Sequence, residues 1–254
     1  MTRTQQQQYL DRIEYQGPLS AQLETLKALQ RKHLLAIPFE NLDVHLGNRI
    51  LLDTTRIFDK LILQKRGGFC YELNGIFYEL LRSIGFTVKY VSAIVMDENR
   101  QWTPEYDHLS LVVSLPEGDY LSDVGFGRFS FWPIKLEKGL VQKDEEGRFL
   151  VESGPAERLM ISKWTDDEWV GEFAFYNRAE DLQNFAPRCA YQQDDPNSHF
   201  LKQRIITRPS SQGRLTLTDK SFKITQAGQT FHEVAIINEA DFQHKLRQYF
   251  GISL

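Results

Sequence analysis

The chain has 254 residues, 41 % of them hydrophobic and 25 % charged, with a formal net charge of −4 and a pI of about 5.9. That is enough apolar material for one large domain or two to three small ones, and the interspersed signs exclude the basic footprint that a nucleic-acid partner requires. No run of about 18 apolar residues is present to span a membrane, and the N-terminus, MTRTQQQQYLDR, lacks the apolar core of a secretory signal; a cytoplasmic protein is expected, with Cys70 and Cys189 as free thiols.

Up to about Ser83 the apolar residues recur at helical spacing. Tyr9, Leu10 and Ile13 share a face of a first helix that Gly17-Pro18 stops. A second is expected from Ser20, with Leu23, Leu26, Ala28 and Leu29 inward, ending before Pro38, which has no N–H to donate and clashes with the preceding turn. A third, capped by Asp53 or Thr54, aligns Ile57, Phe58, Leu61 and Ile62, and Gly67-Gly68 is expected to supply its positive-φ exit. A fourth opens near Cys70, turns Leu73, Phe77, Leu80, Leu81 and Ile84 inward, and ends at Gly85.

After Gly85 the period becomes two. Strands are expected through Val88, Tyr90, Ile94 and Val95, then HLSLVVSL from His108 and DYLSDVGFG from Asp119, the last two joined by a turn at Pro116-Glu117-Gly118-Asp119. FLVES and RLMISKW carry the rhythm to about Phe175, which suits an antiparallel barrel or sandwich. Beyond Asp194 the pattern weakens to a polar loop, short strands near Leu201 to Thr207 and Arg214 to Leu217, and a helix from Glu239 to Phe250. An α+β chain divided at about 1–84, 85–193 and 194–254 follows.

The stretch RGGFCYELNG, Arg66 to Gly75, places Cys70 at a helix start, where the positive end of the macrodipole favours a thiolate. A nearby imidazolium would complete the activation. Of six histidines, His108 stands out because it opens a strand directly after a polar loop. Asp123 is the natural acceptor for its other ring nitrogen. The expected turn would set Leu115 against Tyr120 and Val112 against Asp123, leaving His108 on the right face but about 13 Å away along the strand. A bulge, a slipped register or a turn nearer Leu115-Pro116 is then needed. The bland alternative is a small buried cysteine and a strand histidine with no chemistry at all.

Four motifs, IPFENLDVHLG from Ile37, RGGFCYELN at Cys70, DHLSLVV at His108 and SDVGFG at Asp123, resemble the arylamine N-acetyltransferase family. The resemblance implies an N-terminal helical bundle, a central antiparallel β-barrel and a C-terminal α/β lid around a papain-like Cys-His-Asp core. It implies Cys70 as acyl acceptor, His108 as base and Asp123 as orienting carboxylate, in ping-pong transfer from acetyl-coenzyme A, a cosubstrate, to arylamines, arylhydrazines or N-hydroxyarylamines, with no metal. It further implies an acceptor pocket at Phe39, Phe126 and Phe200, and coenzyme contacts at Trp102, Thr103, Gly125 and Gly127. Core packing, an exposed loop and a strand-end bend are the plain alternatives for those seven. Arg66 and Glu40 suit a buried ion pair, and Cys189 a bystander. A thiol hydrolase or transglutaminase-like enzyme on the same triad, or a noncatalytic binding protein, would share these residues.

Overall fold

The structure, a computed structural model, describes residues 1–211, 213–226 and 229–254. The first helix, α1 (Arg3–Arg12), is held at its start by a reciprocal capping box between Thr2 and Gln5, and Tyr9, Leu10 and Ile13 are buried as their spacing requires. Helix α2 (Leu23–Ala36) begins three residues later than expected, because Gln22 is still extended, and it ends before Pro38. Asp53 caps α4 (Thr54–Phe58), accepting from the N–H groups of Thr55 at 2.9 Å and Arg56 at 3.0 Å.

The expected third helix does not run on as one α-helix. From Asp59 to Leu63 it widens into a π-turn, closed by Gln64 N–H on the Asp59 carbonyl at 2.9 Å. Nor do Gly67 and Gly68 provide the left-handed exit, which falls at Lys65 (φ 56°). The glycines serve close approach instead: a Cβ on Gly67 would lie 2.2 Å from the Pro38 carbonyl oxygen, and one on Gly68 2.8 Å from the Glu72 carboxylate. Helix α5 (Cys70–Ile84) starts and stops as read, with Gly85 left-handed at its end (φ 105°).

Eight strands form one antiparallel sheet: β2 (Thr87–Val95), β3 (His108–Leu115), β4 (Gly118–Ser122), β5 (Ile134–Lys135), β6 (Val141–Asp144), β7 (Gly147–Ser153), β8 (Leu159–Thr165) and β9 (Glu168–Phe175), in the order β5-β4-β3-β2-β9-β8-β7-β6. The sheet is a nearly closed barrel. Its two edges meet through the Gln142 side chain of β6, which accepts from Lys135 N–H at 2.8 Å and donates to its carbonyl at 3.0 Å. Val91, Val112, Leu121, Phe149, Ile161 and Phe173 fill the interior, whereas Leu109, Leu111 and Val113 face outward onto α5 and the helical core.

A second sheet takes β10 (Ile205–Ser210), β11 (Gly213–Thr218), β12 (Ser221–Gln226) and β13 (Gln229–Ala235) from the C-terminal region and β1 (Phe39–Glu40) from the N-terminal one, in the order β1-β10-β11-β12-β13. Helix α8 (Glu239–Phe250) packs Phe242, Leu246 and Phe250 with Ile206, Leu217 and Phe222. The strand expected from Leu201 begins only at Ile205, because Ser198 caps a helical turn, α7 (His199–Lys202). Two further helices, α3 (Leu42–Leu46) and α6 (Ala186–Asp194), complete the fold among the described residues.

Candidate active site

Cys70 is the first residue of α5 and only 5 % exposed. The loop before it is fixed by charge. Arg66 donates to Glu40 through Nε at 3.0 Å and Nη2 at 2.8 Å, confirming the expected ion pair, and also reaches Asp43 at 3.1 Å. Lys60, delivered by the π-turn, lies 2.8 Å from both Asp43 and Glu72. Glu72 in turn accepts from Phe69 N–H at 3.2 Å, so its carboxylate caps the helix that carries the cysteine. Burial pushes the Cys70 thiol well up, against the expectation of a depressed pKa for the isolated group, and a backbone hydrogen bond from Leu109, the residue after His108, works the other way.

His108 and Asp123 are in direct contact, Nε2 to Oδ2 at 2.6 Å, with both side chains buried. The expected register is corrected here. The turn is two residues tighter at its far side, pairing Leu115 with Gly118, Val113 with Tyr120 and Leu111 with Ser122. This draws Asp123 two positions nearer to His108 than a Val112 partnership would place it. Gly118 makes the tight turn feasible with φ at 130°.

Asp123 divides its two oxygens. Oδ2 meets His108, while Oδ1 accepts from Gly125 N–H at 2.8 Å, Phe126 N–H at 3.0 Å and Asn74 Nδ2 at 3.0 Å. Burial acts to raise this carboxyl, but His108 and Asn74 outweigh it and hold the group below the usual aspartate range.

Asn74, one turn after Cys70, is wholly buried and escaped the sequence reading. Its Nδ2 also donates to the Leu109 carbonyl at 2.7 Å, and its Oδ1 accepts from Val124 N–H at 2.9 Å. One side chain thus ties α5, β3 and the segment after β4 together. Its i+4 spacing from Cys70 was the available signal. Tyr71 likewise donates to the Tyr106 carbonyl at 2.7 Å, and Arg188 and Gln192 of α6 hold Asp107 at 2.6 and 2.8 Å. Tyr106 is left-handed (φ 64°), a costly conformation for a bulky residue that these bonds hold in place.

The expected pocket residues fall in two groups. Phe126 lies edge-on to the His108 ring at 5.0 Å and continues into Phe129 and Phe173. Phe39 and Phe200 meet at 5.9 Å, and Phe200 also meets Phe69, the neighbour of Cys70. Gly125 sits directly on the backbone of Cys70, where a Cβ would come within 2.8 Å of its Cα. Gly127 is left-handed (φ 91°) with open space where its side chain would be. Trp102 bridges to Met96, and Thr103 accepts from Val95 N–H at 2.8 Å, so both are pinned to the end of β2, with no bond to Cys70, His108 or Asp123 among the described residues. Cys189 is buried, its thiol pushed up to about 12 by burial and contacted by Gln193 at 3.3 Å.

Residues 22–254 match the N-acetyltransferase family profile. The chain is 32 % identical to the arylamine N-acetyltransferase of Escherichia coli (strain K12), over 97 % of this chain and 88 % of that protein. Its fold matches the solved arylamine N-acetyltransferase from Salmonella typhimurium with a TM-score of 0.91 at 29 % identity, covering 99 % of this chain and 92 % of the other. It also matches the structure of Mycobacterium marinum arylamine N-acetyltransferase in complex with CoA, with a TM-score of 0.88 at 28 % identity over 97 % and 92 %. With His108 and Asp123 in contact beside the helix that Cys70 opens and the similarity running nearly end to end, the chain belongs to the arylamine N-acetyltransferase family of acetyltransferases.

Proposed function

We propose that this protein transfers an acetyl group from acetyl-coenzyme A to aromatic amines, arylhydrazines or N-hydroxyarylamines through a thioester on Cys70. The observation that carries the reading is the 2.6 Å contact between His108 Nε2 and Asp123 Oδ2, a carboxylate that Asn74 ties to the helix Cys70 opens. With Nε2 committed to the carboxylate, Nδ1 is the nitrogen left to serve the sulfur. Burial penalises a lone thiolate, yet moving the proton from Cys70 to His108 creates an ion pair with no change in net charge. Asp123 then stabilises the imidazolium and the helix start stabilises the sulfur.

The thiolate attacks the thioester carbonyl, the carbon–sulfur bond to the coenzyme breaks, and His108 returns its proton to the departing thiolate. The acetylated Cys70 then meets the amine. Aromatic amines and hydrazines are largely unprotonated near neutrality, so the free lone pair attacks while His108 takes the surplus proton and Cys70 leaves. Phe126 beside the imidazole and the Phe39–Phe200–Phe69 group offer apolar walls for a flat aromatic acceptor.

Intact-mass spectrometry after mixing with acetyl-coenzyme A, followed by an arylamine chase, tests the cycle. One added acetyl group, lost from Cys70→Ser and discharged by the amine, is the expected result. No adduct would sink the nucleophile assignment. Discharge by water alone, unaccelerated by amine, would restore the hydrolase reading, which the relatives' activities do not favour.

A further inference from the structure

Immediately before His108 stands a second carboxylate, Asp107, which the reaction described above does not use. Three donors from α6 converge on one of its oxygens. Oδ1 accepts from Arg188 Nε at 2.7 Å and from Gln192 Nε2 at 2.8 Å, and Arg188 Nη2 stands 2.6 Å away. Both partners are themselves fixed. The Arg188 guanidinium lies over the Tyr191 ring at 4.0 Å, and the Gln192 side-chain carbonyl accepts from Ser198 Oγ at 2.8 Å, which orients its amide toward Asp107. Phe185, just ahead of α6, packs against Tyr106 at 5.1 Å and Tyr71 at 5.9 Å.

Asp107 lies by the end of α5 that carries the sulfur. The hydroxyl of Tyr71, the residue after Cys70, donates to the carbonyls of Tyr106 and Asp107 at 2.7 and 3.3 Å. Burial is the chief cause that holds the Cys70 thiol up, and the Asp107 charge is the foremost of the charges that add to it, ahead of Asp123 and Cys189. The charged and titratable groups about the sulfur are Tyr71 and Glu72 from α5, Asp107 and His108 at the start of β3, Asp123 after β4, and Arg188 and Cys189 from α6. Glu72 is paired with Lys60 and Asp123 with His108, so Arg188 is what balances the remaining carboxylate. Side chains only 18 % and 12 % exposed leave the Arg188–Asp107 pair little water to screen it. We propose that Arg188 is a positioning residue for the reaction: by neutralising Asp107 it removes the charge that would oppose a thiolate at Cys70, an assignment that rests on the acetyl-transfer reading above. Arg188 touches neither the sulfur nor the substrate in this role and acts through Asp107.

The test follows alkylation of Cys70 by iodoacetamide against pH in the intact protein, read at the Cys70 peptide by mass spectrometry. In Arg188→Gln, labelling at pH 7 should be about tenfold slower than in wild type, with the rise in rate moved to higher pH. Asp107→Asn keeps an oxygen for Arg188 and loses the charge, so its labelling should instead be faster, with the rise at lower pH. The double variant has neither charge and should return to within about threefold of the wild-type rate. Arg188→Lys keeps the cation and should restore most of what Arg188→Gln loses. An Arg188→Gln profile equal to wild type would overturn the proposal. So would slowing in both single variants without recovery in the double, the pattern of a clamp that merely braces the loop. Should Arg188→Gln fail to fold, Asp107→Asn decides alone, since only faster labelling agrees with the proposal. Stopped-flow acetylation by acetyl-coenzyme A should rank the variants in the same order. A wild-type protein that takes no acetyl group would refute the reaction, whereas the alkylation profiles would still judge the Arg188–Asp107 pair by themselves.

Discussion

At the scale of single residues, the site depends on how one carboxylate spends its two oxygens. Asn in place of Asp123 keeps the bonds at one oxygen and offers an N–H where His108 needs an acceptor, forcing the other tautomer or breaking the contact. Acetylation of Asp123→Asn, followed by stopped-flow release of free coenzyme A, should be slower by about a hundredfold or more at neutral pH. The two cysteines should separate just as sharply. Burial pushes both thiols up, so only a proton transfer to His108 of the kind proposed above can single one out: iodoacetamide near pH 7 should label Cys70 and leave Cys189, whose thiol contacts Gln193, as peptide mapping will show. The start of a helix at Cys70 and the pairing of His108 with Asp123 were legible because such residues have few roles in combination and because their motifs carry a resemblance. Asn74 was not, since an amide inside a helix has no signature until its partners Leu109, Asp123 and Val124 are in place.

Among elements, the helices were readable from apolar spacing and capping residues, and α5 and α8 begin and end as the sequence suggested. The β3–β4 pairing was not, because a two-residue and a four-residue turn are both compatible with Pro-Glu-Gly-Asp, and moving the turn by one residue shifts every pair by two. The π-turn was equally hidden, its apolar stripe being the same in either helix type. Between α1 and α2, His33 Nδ1 lies 2.6 Å from the Tyr9 hydroxyl, while its Nε2 is buried without a partner among the described residues. Burial, then the Arg12 charge, lowers its pKa from 6.5 to about 3. The folded histidine stays neutral where the unfolded one gains a proton, so stability falls as pH drops through about 6.5 and levels off only near 3. This residue alone should remove about 2 kcal/mol between pH 7 and pH 5, read from urea midpoints, and His33→Gln should lack that loss.

Across the whole molecule, the N-terminal and C-terminal regions are stitched together by β1 and the asparagine after it. Asn41 donates to the carbonyls of Phe200 and Gln203, both at 2.9 Å, and accepts from Ile205 N–H at 2.7 Å. Asn41→Ala should cost about 1–3 kcal/mol and raise amide exchange selectively across β10 and β11, measured by hydrogen–deuterium exchange mass spectrometry. Such long-range pairing is invisible to local periodicity, since Phe39 and Glu40 carry no strand pattern of their own. Those two residues look both ways: Phe39 pairs with Thr207 on one edge and bridges Gly68 on the other, and Glu40 N–H reaches the Gly68 carbonyl at 2.9 Å. A ribosome delivers residue 207 long after residue 70, so the growing chain holds the Cys70 sulfur in an unfinished cradle for most of its synthesis. Competence for the proposed acetyl transfer would therefore arrive late, when the last fifth of the polypeptide closes over the first.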